Sequence, residues 1–420
     1  MQRRYTSLAA AGIVAALTLT LSGCGGGQGQ VTLKLVAADY GDGSGPGSRQ
    51  YWSELTRAFE KKHPDIKIDV DVYSWKEVDK KVADLVRKGQ APDLAQIGAY
   101  VDYAADGKLY SADELLSIPV QADLQPALAE AGEVGRVQYG IPFAASTRRL
   151  FYNKKLFAEA GITEAPKSWD DVAEDAELLK KRGVKTPYAL PLGPEETQAE
   201  TLNWLISGGG GYTDEIGKYA IDSPANVKTF TWLRDELVGK GLTGGDPAGL
   251  NRADAFAGFA DGDVGMLNGH PALIKQAEAK GIDYGTADLP GRKGPATSTL
   301  GVSDWMMAFK QNGHRAQAGK FLDYVYDDAN VLSFSRDFGL LPVTTSGAQK
   351  MAGDHRFGHL QDFVGPLRDA QFYPANKTSW PEVAKSVKSQ MGAAVGPKGD
   401  PSSTLADLQN TADAADTAGS

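Results

Sequence analysis

The chain has 420 residues, with 44 Lys plus Arg against 53 Asp plus Glu, 42% hydrophobic residues and a single Cys. A chain of this length and hydropathy can bury a large core and tends to split into two lobes, which excludes disorder and collagen-like structure. One Cys supports neither a disulfide framework nor a Cys-based zinc site, and a net charge of −9 argues against phosphate backbones and anionic lipid surfaces as partners.

Residues 1–23 open with Arg3 and Arg4 and run uncharged from Leu8 to Leu21, shorter than the ~20 residues of a membrane span. This is a secretory signal. The following Leu21-Ser22-Gly23-Cys24 resembles the bacterial lipoprotein box, which implies cleavage before Cys24 and a lipid on its sulfur. Gly25 to Gln30 then reads as a flexible tether. An address of this kind points to work on the outer face of the cell membrane.

Val31 to Ala38 reads as a strand, and Gly41 to Gly47 as a glycine-rich loop. Trp52, Leu55, Ala58 and Phe59 form the apolar stripe of a helix that Pro64 closes. Ile66, Ile68, Val70 and Val72 alternate with charged residues as a half-buried strand. Val78, Val82, Leu85 and Val86 mark a helix ended at Gly89, and Pro92 to Ile97 is a third strand. This β-α-β-α-β alternation predicts parallel strands flanked by helices.

The pattern restarts after Gly140. Ile141 to Phe143 and Leu150 to Asn153 are extended; Ser168 and Asp171 open a helix as a capping box, and it runs through Lys180-Lys181-Arg182 to Gly183. Tyr188 to Leu192 is strand-like, a helix carrying Leu202, Trp204 and Leu205 stops at Gly208 to Gly211, and Ser223-Pro224 opens the next. Val264 to Asn268 and Val302 to Phe309 are strands, and helices dominate the remainder. No repeat of solenoid period is present.

No His-Glu-x-x-His, phosphate-binding Gly-x-x-x-x-Gly-Lys or Gly-x-Ser-x-Gly motif occurs. His355 and His359 are the sole His pair at helical spacing, and Asp261 with Asp263 lacks the other ligands of a calcium loop. No metal or cofactor is expected. Paired carboxylates able to cleave glycosidic bonds have no sequence signature, so a secreted glycoside hydrolase stays open as an alternative.

Several stretches carry a resemblance in collinear order: Trp52-x-x-Leu-x-x-Ala-Phe-Glu-x-x-His-Pro64, Gly89 to Asp93, Tyr139 to Phe143, Ser146 to Phe157, Pro166 to Asp171, Ala255 to Ala257 with Gly262 to Met266, and Gly339 to Pro342. Together they resemble the extracytoplasmic solute-binding proteins of ABC importers, in particular the large group that binds sugars and oligosaccharides. The resemblance implies an α/β, two-lobed periplasmic-binding-protein-like fold, each lobe a mainly parallel sheet flanked by helices. Three crossings are expected near Ile141 to Thr147, Leu300 to Ser303 and Ser333 to Gly339. Lobe one is then 31–142 with 304–334, and lobe two 143–303 with 335–420. The implied partners are a carbohydrate or other small solute and the permease subunits of the importer, with the receptor itself a monomer and no nucleic acid involved.

A sugar presents hydroxyls around its ring and C–H bonds on its faces, so its site needs planar polar groups and aromatic plates at strand ends or crossings. Asp39 and Tyr40 follow the first strand, and Gln96 and Tyr100 the third, where many relatives carry an acidic residue that this chain lacks. Ser146 and Arg148 stand at the first crossing, Arg148 as a fork for two hydroxyls or as half of an ion pair. Asp304 and Trp305 follow the second crossing, Trp305 as a stacking plate or a core residue. Trp204 ends a helix beside the glycine run, and Arg336 lies near the third crossing. Asn268-Gly269-His270 resembles the family's Asn-Gly-Pro turn, with His270 the departure. Tyr73, Trp75 and Trp380 suit a cleft or a core equally.

Overall fold

A computed structural model describes residues 30–41 and 47–418; the signal segment, Cys24, the tether up to Gly29 and most of the Gly41 to Gly47 loop lie outside the described residues. The chain builds two sheets. In the first, β1 (Val31–Ala38), β2 (Ile66–Tyr73), β3 (Leu94–Ile97), β6 (Ile141–Ser146) and β11 (Val302–Ala308) lie in the order β2-β1-β3-β11-β6. A small hairpin of β4 (Glu133–Val134) and β5 (Val137–Gln138) precedes β6. The second sheet orders β7 (Arg149–Asn153), β8 (Thr186–Ala189), β9 (Val264–Gly269) and β10 (Tyr284–Ala287) as β10-β7-β9-β8.

Local chemistry explains most boundaries. The helix Ser48–Lys62 buries Tyr51, Trp52, Leu55 and Phe59 against the first sheet, while Ala58 faces solvent. It stops at His63 because the residue before a proline is disfavoured in helical conformation. β2 sits at the sheet edge, which suits its alternating pattern: Ile66, Ile68 and Val72 are buried while Asp69 and Asp71 are exposed. In the second half the capping box is present as expected. The Ser168 hydroxyl accepts from the Asp171 amide at 3.2 Å and the Asp171 carboxylate accepts from the Ser168 amide at 2.8 Å, starting the helix Trp169–Lys181. Ser168→Ala should therefore cost about 1 kcal/mol in chemical denaturation; an unchanged midpoint would mean that packing of Trp169 alone fixes this start.

Each sheet is mainly parallel in strand direction, as expected, with one strand reversed. β1 pairs parallel with β2 and β3, and β8 with β9, but β11 is antiparallel to both β3 and β6, and β7 is antiparallel to both β9 and β10. The reversed strand in each sheet is the one that receives the chain from the other sheet. β6 hands over to β7 through Thr147-Arg148, and residues 288–301 lead from β10 back to β11. Such a strand enters at the edge where its neighbours end.

The third expected crossing, Ser333 to Gly339, is instead the last part of the helix Asp328–Phe338, which Gly339 ends in left-handed conformation at φ 66°. Beyond it Leu341 pairs with Ala145, and Gln371 pairs with Leu300. The helix Thr345–Ala352, expected with the second lobe, packs on the first, where the Ser346 amide donates to Asp123 at 2.9 Å. The C-terminal helices Trp380–Ala394 and Pro401–Ala418 cover the second sheet's half through Val383, Val387, Leu405 and Leu408.

Candidate functional site

The topology brings the ends of β1, β2, β3 and β6 and the start of β11 to one edge of the first sheet. They face the start of β7 and the end of β9 across the connecting segments. Four of the residues singled out at strand ends meet on the first-sheet side or beside it. The Ala38 amide donates to Gln96 Oε1 at 3.1 Å, Gln96 Nε2 donates to the Tyr40 hydroxyl at 2.7 Å, and that hydroxyl donates to Asp304 Oδ2 at 2.9 Å. The Tyr40 ring stands edge-on to Trp75 at 5.3 Å and to Phe334 at 5.0 Å. Asp39 next to it closes a turn by accepting from the Gly41 amide at 2.9 Å. Burial pushes the Asp304 carboxyl up to about 7; the Tyr40 hydroxyl pulls it back, and the charges of Asp79 and Glu196 push further.

A register shift in the β11–β6 pairing sets where Asp304 and Trp305 point. Asp304 is opposite Ala144 and Trp305 opposite Pro142, so Phe143 is the extra residue of a bulge. Pro142 has no amide to give to the ladder, and on the edge strand β6 that loss is tolerated.

On the second-sheet side, Arg148 is buried at 5% exposure. Its guanidinium donates to Ser146 Oγ at 3.1 Å and to Glu196 Oε1 at 2.9 Å, and Glu196 also pairs with Arg252 at 2.6 Å. Glu200 accepts from Trp204 Nε1 at 2.7 Å and from Asn268 Nδ2 at 3.0 Å, yet burial still holds its carboxyl up at about 7. His270, in the same nest, is kept neutral, mainly by burial and also by the Arg148 and Arg252 charges. The ion-pair reading of Arg148 is thus the one the geometry favours, although the pair is buried.

Between the two sides lies a cavity of about 210 Å³, lined by Gly98, Ala99, Ser303, Asp304 and Trp305 from one half and by Phe372, Tyr373 and Trp380 from the other. Tyr373 and Trp380 stack at 5.5 Å with 20° between planes. Larger hollows, of about 590 Å³ around Asp93 and His314 and about 500 Å³ along Gly161 to Leu178, lie away from the converging strand ends. Among the described residues no group of three or more His, Cys, Asp or Glu is placed to hold a metal ion.

Other expected residues are spent elsewhere. Trp204 is 3% exposed in the second core, beside Trp169 and Trp232 at 5.8 Å each and with its indole N–H given to Glu200. Tyr100 is buried, its hydroxyl donating to Ala131 O at 2.7 Å and its ring 5.1 Å from Trp305. Trp305 borders the cavity but is itself 3% exposed. Arg336 is exposed and bonds to Ser333 at 2.8 Å on its own helix. Glu196, Glu200 and Asn203 are not among the residues expected from the sequence. Their spacing of four and three residues places them on one face at the start of the helix Thr197–Ser207, a polar stripe visible in the sequence. Phe372-Tyr373, in a segment without periodicity, offered only two adjacent aromatics before Pro374.

The model of the family described as bacterial extracellular solute-binding protein matches residues 43–331. The chain belongs to that family. Its members bind solutes outside the cytoplasm, so this solute-binding protein is extracytoplasmic. A Brucella abortus protein is 29% identical over 415 residues, covering 96% of this chain and 97% of its own. The diacetylchitobiose-binding protein of Streptomyces coelicolor is 26% identical over 355 residues, covering 80% of this chain and 81% of its own. In fold, the solute-binding protein is similar to the crystal structure of the cyclic α-maltosyl-1,6-maltose-binding protein of Arthrobacter globiformis. The TM-score is 0.80 at 19% identity, over 93% of this chain and 100% of the other.

Proposed function

We propose that this solute-binding protein is the lipid-anchored receptor of an ABC importer, taking a sugar or oligosaccharide into the cleft between its two halves and presenting it to the permease without altering it. The observation that carries this is the cavity at the converging strand ends, where the Asp304 carboxyl from one half faces the stacked Tyr373 and Trp380 rings of the other. Aromatic faces suit the C–H faces of a pyranose, and a carboxylate accepts from its hydroxyls. The names of the Streptomyces and Arthrobacter relatives, both carbohydrate binders, support the same ligand class. Because the two kinds of contact come from different halves, a ligand gains both only when the halves close, and closure is the signal a permease reads. The anchor is the lipid on Cys24.

The test is a thermal-shift screen of protein lacking residues 1–24 against mono- and oligosaccharides, with product formation followed in parallel. A ligand at a hundred times its dissociation constant should add ~2.7 kcal/mol of stability. Turnover at enzymatic rates, or shifts from peptides or other solutes with none from any sugar, would overturn the reading.

A further inference from the structure

The hydrogen-bond relay behind Asp304 has a fixed direction. The Ala38 amide can only donate, so Gln96 Oε1 is an acceptor and the Gln96 amide nitrogen must donate to Tyr40; the one Tyr40 proton then goes to Asp304 Oδ2. Asp304 is therefore held as an acceptor. Its second oxygen accepts no hydrogen bond among the described residues, and the residue lines the cavity. Among the described residues no Lys, Arg or His lines that cavity, and Asp304 is the one charged residue that does. The cations of the adjoining polar nest are already paired, Arg148 with Glu196 and Arg252 with both Glu195 and Glu196.

The electrostatics agree. Asp79 and Glu196 both raise the Asp304 carboxyl, which reports a negative field at the point where a ligand would meet it. Asp79 is itself fixed as an acceptor by the Gly98 and Ala99 amides, each at 3.2 Å. A phosphate or carboxylate entering the cavity would lose its water, find no cation and face Asp304 directly, whereas a hydroxyl or ammonium would find a waiting acceptor.

We infer that Asp304 makes this cleft selective by charge: it takes neutral or amine-bearing saccharides that donate to its second oxygen, and turns away phosphorylated and uronate sugars. The inference rests on the carbohydrate reading and narrows it.

The experiment is calorimetric titration at pH 8 of protein lacking residues 1–24 with matched pairs: glucose and glucose 6-phosphate, galactose and galacturonate, diacetylchitobiose and its 6-phosphate, with glycerol 3-phosphate added. The neutral member that binds should exceed its anionic partner by on the order of 100-fold. Asp304→Asn keeps the shape and an acceptor for Tyr40 but removes the charge, and should shrink that ratio about tenfold or more. An anionic member within about threefold of its neutral partner, or a ratio unchanged in folded Asp304→Asn, overturns the inference while leaving the carbohydrate reading standing. If Asp304→Asn does not fold, the native ratio decides alone. Binding of none of the saccharides overturns the carbohydrate reading, and this inference with it.

Discussion

Trp305→Ala is expected to destabilise the first-sheet half by about 3–5 kcal/mol, the range for truncating a buried large aromatic. The indole is 3% exposed and packs on the face of the sheet that also carries Val36, Ile97 and Met307, beneath Val78 and Val82. It meets Tyr100 at 5.1 Å, and a Cβ added at Gly140 would lie 3.0 Å from its ring, so backbone approaches it as closely as a glycine allows. Removing it leaves a void that Gly132 and Gly140, having no side chains, cannot refill. Ligand affinity should fall as well, because the indole is one wall of the cavity and its neighbour Asp304 loses its support. Guanidinium titration checks the first effect and calorimetry the second, with Trp305→Phe expected to restore part of the stability. Lost affinity at a denaturation midpoint close to the native one would instead make Trp305 a ligand plate and not a core residue.

The same tryptophan shows where sequence reading runs out. A site aromatic and a core aromatic carry the same signal one strand from a cleft, and what separates Trp305 from Tyr373 is the bulge at Phe143, a property of pairing. Boundaries were legible wherever a residue has a local mechanism. Ser168 with Asp171, Ser223-Pro224 and the glycines Gly89 and Gly183, at φ 66° and 82°, each stop or start an element as expected. Strand direction was not legible in β7 or β11, because a strand buried on both faces has no alternation to reveal its partners. Of the residues expected in the site, Tyr40, Gln96 and Asp304 are joined by one relay and Ser146 with Arg148 by another. Trp204 and Arg336 suit a site only by their place in the chain, and the fold turns the first into a core and the second toward solvent. Tyr373 and Trp380 arrive from a chain end more than sixty residues beyond β11, brought close by the pairing of Gln371 with Leu300.

Arg148→Met should be the most damaging change in the cleft's second wall. The residue stands between β6 and β7, and its backbone is tied to the other connection: the Arg148 amide donates to Thr299 Oγ1 at 3.2 Å, and the Thr299 hydroxyl donates to Arg148 O at 2.8 Å. Methionine fills much of the buried stem's space, so the loss is chiefly that of the guanidinium. Glu196 would keep only Arg252, Ser146 Oγ would lose its donor, and Glu200 would lose the cation that lowers its carboxyl. Breaking a buried pair from one side costs about 3–5 kcal/mol, and the lower end is expected because Glu196 is 23% exposed and retains a partner. Removing the other charge as well separates charge from packing. The double variant Arg148→Met with Glu196→Gln should be more stable than the sum of the two single effects by about 1–3 kcal/mol. Simple additivity would mean that Arg148 acts by bulk alone, and the electrostatic account of this wall would then fail even if ligand binding were lost.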